Sequence, residues 1–167
     1  MNLSKSFSYT KLGDYMRFRI ISDEVYELFI NDSLIDEDIY DSKDRLVEFI
    51  KERITTWKSK LKLYGFCKIK AYFKRKVGLF LEIIKFDDTV NSSTLDLRII
   101  IMQNEKIYFE TENYEMIRYY NDKRYKDGLF YCVVDDSFDE ILEKVEFGSF
   151  IYGKEVINLL NNSKILC

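Results

Sequence analysis

The sequence predicts an α+β fold of two small units, each an antiparallel sheet packed with one or two helices. Apolar residues recur at period two through several short runs, two of those runs face each other across tight turns, and each half of the chain adds an amphipathic helix. Strands and helices mixed in this order, joined by hairpins rather than βαβ crossovers, favour antiparallel sheets. The chain of 167 residues is 47% hydrophobic and 16% aromatic, enough apolar surface to offset the entropy of folding. The units are expected at 1–88 and 95–167, divided by the polar, aperiodic string 87–94.

Residues 14–22 place Met16, Phe18 and Ile20 on one side and Arg17 and Arg19 on the other, which reads as a half-buried strand. A second apolar run, 25–30, can pair with it across a turn at 22–24, and an acidic loop follows at 31–38. The clearest helix starts near Asp41 or Ser42, either of which can cap free backbone N–H groups. It carries Leu46, Val47, Phe49, Ile50, Ile54, Trp57, Leu61 and Tyr64 three and four apart. Gly65 is its expected stop, because glycine accepts the left-handed conformation that closes a helix. Cys67, Ile69, Ala71 and Phe73 then alternate with Lys68, Lys70, Tyr72 and Lys74, and a turn at 74–78 leads into the return strand 79–86, so one strand face is cationic.

The second half resumes with a β-rich run at 95–102. Within 104–120, Ile107 and Phe109 suit a strand, whereas Tyr114 and Ile117 with flanking Glu suit a helix. Asp127 and Gly128 form a turn before a buried strand at 129–134. Ser137 and Glu140 have the spacing of a capping box, opening a helix that turns Ile141, Leu142 and Val145 inward and ends at Phe147 and Gly148. A short strand at 150–152 and an amphipathic helix at 154–160 complete the order.

Chemistry is limited by what the chain lacks. It has no His, so no Ser-His-Asp or Cys-His pair and no His-ligated metal is available. Cys67, Cys132 and Cys167 are widely spaced without a C-x-x-C, which writes neither a disulfide framework nor a zinc site. Carboxylates cluster at 36–38, 87–88, 135–136 and 139–140, but at loop and helix starts, where solvation and dipole pairing account for them. The six glycines never assemble into a phosphate-cradling loop. No catalytic residue, metal or cofactor is therefore expected, and the chain reads as a non-enzyme. No apolar run approaches the roughly 20 residues of a membrane span, and the first residues lack a signal-peptide core, so a cytoplasmic location is expected.

The net charge of −3 is unevenly spread: residues 1–50 carry 6 positive and 11 negative groups, 51–86 carry 11 and 2, and 87–167 carry 9 and 16. Such a basic centre can bind nucleic acid or an acidic protein surface. Trp57, Tyr64, Phe66, Tyr72 and Phe73 interleave its cations, and a nucleic-acid-binding regulator using the hairpin 66–86 is the alternative reading. Spacing puts Trp57, Tyr64 and Phe73 inward, however, and only Tyr72 shares the cationic face of Lys68, Lys70 and Lys74. A solvated basic face, or one that docks an acidic protein segment, is the better account.

The chain also resembles the MecA-type adaptors, bacterial two-domain proteins that deliver substrates to the Clp-type AAA+ unfoldase ClpC in regulated proteolysis. Glu37-Asp-Ile-Tyr-Asp-Ser-Lys-Asp-Arg-Leu-Val-Glu-Phe-Ile-Lys51 is similar to that family's acidic and aromatic lead-in to an amphipathic helix. Gly78-Leu-Phe-Leu-Glu-Ile-Ile-Lys85 is similar to its following hairpin. Tyr125-Lys-Asp-Gly-Leu-Phe-Tyr-Cys-Val-Val134 and Glu146-Phe-Gly-Ser-Phe-Ile-Tyr-Gly-Lys-Glu-Val-Ile-Asn-Leu-Leu160 resemble its aromatic strand and its closing strand and helix. The family's long acidic interdomain linker is reduced here to about 87–94. The resemblance implies an N-terminal unit that selects a substrate protein and a C-terminal unit that docks on the unfoldase. The mechanism that the resemblance implies is tethering rather than chemistry. On that reading the acidic surface of Asp135, Asp136, Asp139, Glu140 and Glu143 would be the docking face. The cationic hairpin of Lys68, Lys70, Tyr72, Lys74 and Lys76 would be the substrate face.

Overall fold

A computed structural model of the chain describes residues 9–86, 94–103 and 105–167. The alternating run near the N-terminus forms the expected strand but is not half-buried, since Arg17 and Arg19 are 4% and 3% exposed whereas Ile20 is 59% exposed. A two-residue strand β1 (Thr10–Lys11) precedes β2 (Met16–Ile20), and β2 pairs antiparallel with β3 (Val25–Asn31). The acidic segment that follows is a loop only in part, because 37–41 wind into a short helix α1 (Glu37–Asp41). Helix α2 (Lys43–Leu61) begins where the capping argument puts it: the Ser42 hydroxyl oxygen accepts the Arg45 N–H at 3.4 Å.

Its end differs from expectation. Lys62, at φ 55, takes the left-handed position. The backbone N–H of Leu63 reaches the Lys58 carbonyl at 2.9 Å, and the Leu63 side chain is buried. Burying an apolar residue just past the cap compensates the cost of a left-handed lysine. Gly65 instead starts the next strand, and Tyr64, expected on the helix's apolar stripe, is 61% exposed.

The expected hairpin forms from β4 (Gly65–Lys74) and β5 (Gly78–Lys85). At Gly78, φ is 145 and a side chain would press its first carbon to 2.1 Å from the Ile30 carbonyl oxygen, so only glycine lets β5 lie against β3 here. The polar string 87–94 falls mostly on residues 87–93, which lie outside the described residues. Strand β6 (Leu95–Met102), expected to open the second unit, joins the first sheet instead, pairing parallel with β4 from Gly65↔Leu95 to Tyr72↔Met102. Its Leu95, Leu97, Ile99 and Ile101 pack on the same core as α2, and burying that apolar row decides the sheet it joins.

The second sheet comprises β7 (Tyr108–Thr111), β8 (Arg124–Lys126), β9 (Leu129–Val133), β10 (Gly148–Ile151) and β11 (Lys164–Ile165). Within the ambiguous 104–120 the strand reading holds for Tyr108–Thr111, and Tyr114–Met116 form only a 3-10 turn. Asp127 (φ 51) and Gly128 (φ 84) make the two-residue turn between β8 and β9. The capping box does not form. The Asp135 carboxylate takes the Ser137 hydroxyl at 2.5 Å and its backbone N–H at 3.0 Å. Helix α3 (Ile141–Lys144) starts after Glu140 at φ 52, with no side-chain cap. Helix α4 (Lys154–Asn162) closes the order before β11.

The first sheet runs β1-β2-β3-β5-β4-β6 and the second β10-β7-β9-β8-β11, antiparallel throughout except for β4 and β6. This is an α+β fold of two antiparallel-rich sheets. One face of the first sheet, including Leu28, Ile30, Ile69 and Leu81, packs on Leu46, Ile50 and Ile54 of α2. From its opposite face Phe29, Tyr72 and Phe80 pack on Phe109, Cys132, Phe150 and Tyr152 of the second unit. The outer face of the second sheet holds Tyr108, Tyr131 and Ile151 against Val156 and Leu159 of α4. The layers are thus helix, sheet, sheet, helix, with aromatic side chains between the sheets. Among the described residues no helix is long and apolar enough to cross a membrane.

Candidate protein-binding face

Strict alternation along β4 sends Cys67, Ile69, Ala71 and Phe73 toward α2 and Lys68, Lys70, Tyr72 and Lys74 to the opposite face. What meets that opposite face changes along the strand. Tyr72 is 3% exposed. Its ring stacks on Tyr152, with centroids 4.4 Å apart and planes at 28°. Its hydroxyl also sits so close to Gly153 that a side chain there would approach it to 2.8 Å. Tyr72 therefore belongs to the inter-sheet core and is withdrawn from any partner, a correction to its place on the expected binding face.

Lys68 and Lys70 remain half-buried, with their stems on the sheet. Cross-strand register sets Lys68 between Ile84 of β5 and Arg98 of β6, and Lys70 between Glu82 and Ile100. In this stretch of sheet the cations of Lys68, Lys70 and Arg98 neighbour two carboxylates, Glu82 opposite Lys70 and Asp96 two residues along β6 from Arg98.

Lys74 and Lys76 serve differently. Lys74 Nζ pairs with Asp136 at 2.7 Å, and that hydrogen bond, with the added field of Lys76, holds the Asp136 carboxyl below its usual range. A carboxylate depressed in this way stabilises the fold only above its ordinary pKa, and the contribution is lost as pH falls through the lowered value. Burial pushes the neighbouring Asp135 upward, but hydrogen bonds from Ser137 and Asn121 outweigh it and leave that group low as well. Lys74, Arg75, Lys76, Lys106, Asp135 and Asp136 line one cleft of about 620 Å³. Residues that the sequence reading divided between a substrate face and a docking face are here brought together and partly neutralised.

The remaining acidic residues are split. Asp139 accepts the Tyr120 hydroxyl and lies 3.5 Å from Lys144 Nζ, whose lysine is 3% exposed; the Tyr120 hydrogen bond holds its carboxyl low. Glu140 and Glu143 are exposed and border a shallow depression shared with Lys76 and Asn31.

A further ion pair, outside the expected site residues, joins β2 and β3. Arg19, 3% exposed, donates from Nε to Glu27 Oε2 at 3.1 Å and also from its Nη2, while Tyr9 covers its guanidinium at 5.1 Å. A signal existed: Arg19 and Glu27 are directly opposite in the antiparallel register.

Among the described residues no group of three or more His, Cys, Asp or Glu is arranged to hold a metal ion. Burial raises the thiol of Cys67 and pushes that of Cys132 up to about 12, whereas Cys167 is exposed. Thiol titration of the native protein at neutral pH is expected to label Cys167 within minutes and the other two only after unfolding. Rapid labelling of all three thiols would contradict the core placement of Cys67 and Cys132.

No protein-family model matches this chain, nor does any curated protein or solved structure.

Proposed function

We propose that the protein is a non-enzymatic protein-binding adaptor or regulator that receives an acidic segment of a partner on the sheet face of Lys68 and Lys70. The supporting observation is the placement of these two lysines: half-buried, on a strand paired on both sides, with Arg98 beside Lys68 and the carboxylates of Glu82 and Asp96 as neighbours. Cations fixed on a sheet lose little freedom on binding and complement an acidic peptide. The resemblance to MecA-type adaptors extends this reading to a substrate protein on the lysine face and a Clp-type ATPase on the exposed Glu140 and Glu143. Binding then acts by raising the local concentration of substrate at the ATPase.

The nucleic-acid reading needs an aromatic platform among the cations. The burial of Tyr72 against Tyr152 removes one ring of that face and leaves Phe66, which packs on Phe86 at 5.1 Å.

Fluorescence anisotropy with a labelled acidic peptide tests the lysine face, alongside a single-stranded RNA probe and a pull-down of purified ClpC N-domain. Saturable peptide binding is expected, weakened about tenfold in K68E/K70E, equivalent to about 1.4 kcal/mol. ATPase capture is expected to fall in E140K/E143K. RNA binding with a steep salt dependence and no peptide binding would replace the proposal with the nucleic-acid reading.

A further inference from the structure

The two sheets have four edges, and three of them are protected. Strands β1 and β11 have two residues each. Strand β10 has four, and the Phe150 N–H is taken by the Tyr9 hydroxyl at 3.1 Å. Edges that short, or capped in this way, offer little template for a further strand. The fourth edge is β6. It has eight residues, and among the described residues its only strand neighbour is β4.

Strand β6 lacks the usual devices that blunt an edge. It carries no Lys and no Pro, and Ile99, Ile100 and Ile101 are all half-exposed. Its only charges are Asp96 and Arg98, both exposed and on the face opposite α2; among the described residues neither has an ion-pair partner. On the β4 side Arg98 is directly beside Lys68, a like charge, and Asp96 is beside Phe66. Among the described residues neither is within ion-pair distance of an opposite charge.

We propose that this edge is an interface between two copies of the chain. The β6 strands pair antiparallel about a two-fold axis at Leu97 and continue the six-stranded sheet across both molecules. The register follows from charge and face together. A pairing that keeps apolar residues on the α2 side must set odd positions opposite odd and even opposite even. Centred on Leu97, it places Asp96 opposite Arg98 of the second copy and Arg98 opposite its Asp96, while Leu95 faces Ile99. Centred on Arg98 it would set two arginines against each other, and centred on Ile99 it would leave both charges opposite apolar residues. Only the first register gives Arg98 the carboxylate that its neighbour Lys68 cannot supply, and it does so twice, as an isologous contact requires. The ladder of residues 95–99 from each copy has the length of an ordinary strand. The inference is independent of the adaptor reading, since no partner protein enters it.

Sedimentation or light scattering over a concentration series tests it on the full chain. The wild type is expected to move from 20.1 kDa toward about 40 kDa with rising concentration. D96R and R98D are each expected to stay monomeric. Both positions are exposed, and an unchanged circular dichroism spectrum shows that the fold survives. D96R/R98D is expected to dimerise again because the charges are exchanged but still complementary. An equimolar mixture of the two single variants is expected to form a heterodimer, since each reversed charge then meets an opposite one. A wild type that remains monomeric up to about 100 μM overturns the proposal. So does a dimer that both single variants leave intact.

Discussion

Phe150→Ala is expected to destabilise the fold by about 3–5 kcal/mol, the range for emptying a large aromatic site in a close-packed core. Phe150 has no exposed surface. Its ring lies 5.3 Å from Phe29 and 4.7 Å from Phe80 of the first sheet, and 5.7 Å from Phe109 and 5.9 Å from Phe138 on its own side. One side chain thus touches both halves of the inter-sheet layer. Truncating it removes transfer energy and leaves a void between two hydrogen-bonded sheets that cannot readily close on it. Urea unfolding followed by tyrosine and tryptophan fluorescence measures the loss. Phe147→Ala, at a 59% exposed neighbour, is the control and is expected to change stability by less than about 0.5 kcal/mol. A cost below about 1 kcal/mol at Phe150 would mean that the sheets do not share this core.

The second large effect is expected at the buried ion pair. Glu27→Ala should cost about 3–5 kcal/mol, because it removes the carboxylate paired with the buried Arg19 guanidinium. Both side chains are under a tenth exposed, at 2% and 8%, so water cannot take over the lost hydrogen bonds. The double change R19M/E27L tests the cause. If the single-variant loss comes from the broken charge pair, removing both charges and filling the space recovers most of it. If the double variant is as unstable as the two single changes added together, the packing of these side chains is responsible instead, and the electrostatic account fails.

Several elements were legible from local chemistry. The start of α2 at Ser42, the β2–β3 and β4–β5 hairpins and the Asp127–Gly128 turn each depend on neighbouring residues alone. The errors have physical causes of the same local kind. Gly65 was the obvious closure for α2, but Leu63 could be buried only if the helix ended earlier, at Lys62. Ser137 had a capping partner at Glu140, but Asp135 was two residues away and took its hydroxyl first.

Strand β6 shows a different kind of limit. Its composition announces a strand, yet period two does not say which sheet will bury its apolar row. The parallel pairing with β4 arises because Leu95, Leu97, Ile99 and Ile101 complete the core under α2. A cut between 87 and 94 is accordingly expected to leave a fragment 95–167 whose first strand has lost its sheet.

By itself the sequence determined the two faces of each strand, the positions of the turns and the concentration of positive charge on one side of β4. These follow from side-chain alternation and backbone preference, which act over a few residues. Tertiary structure decided what covers each face. Lys68, Lys70, Tyr72 and Lys74 share one side of one strand, yet Tyr72 is sealed against Tyr152, Lys74 is held by Asp136, and Lys68 and Lys70 stay half-buried. Contacts between residues about 60 to 80 positions apart make that division, and no local pattern encodes them.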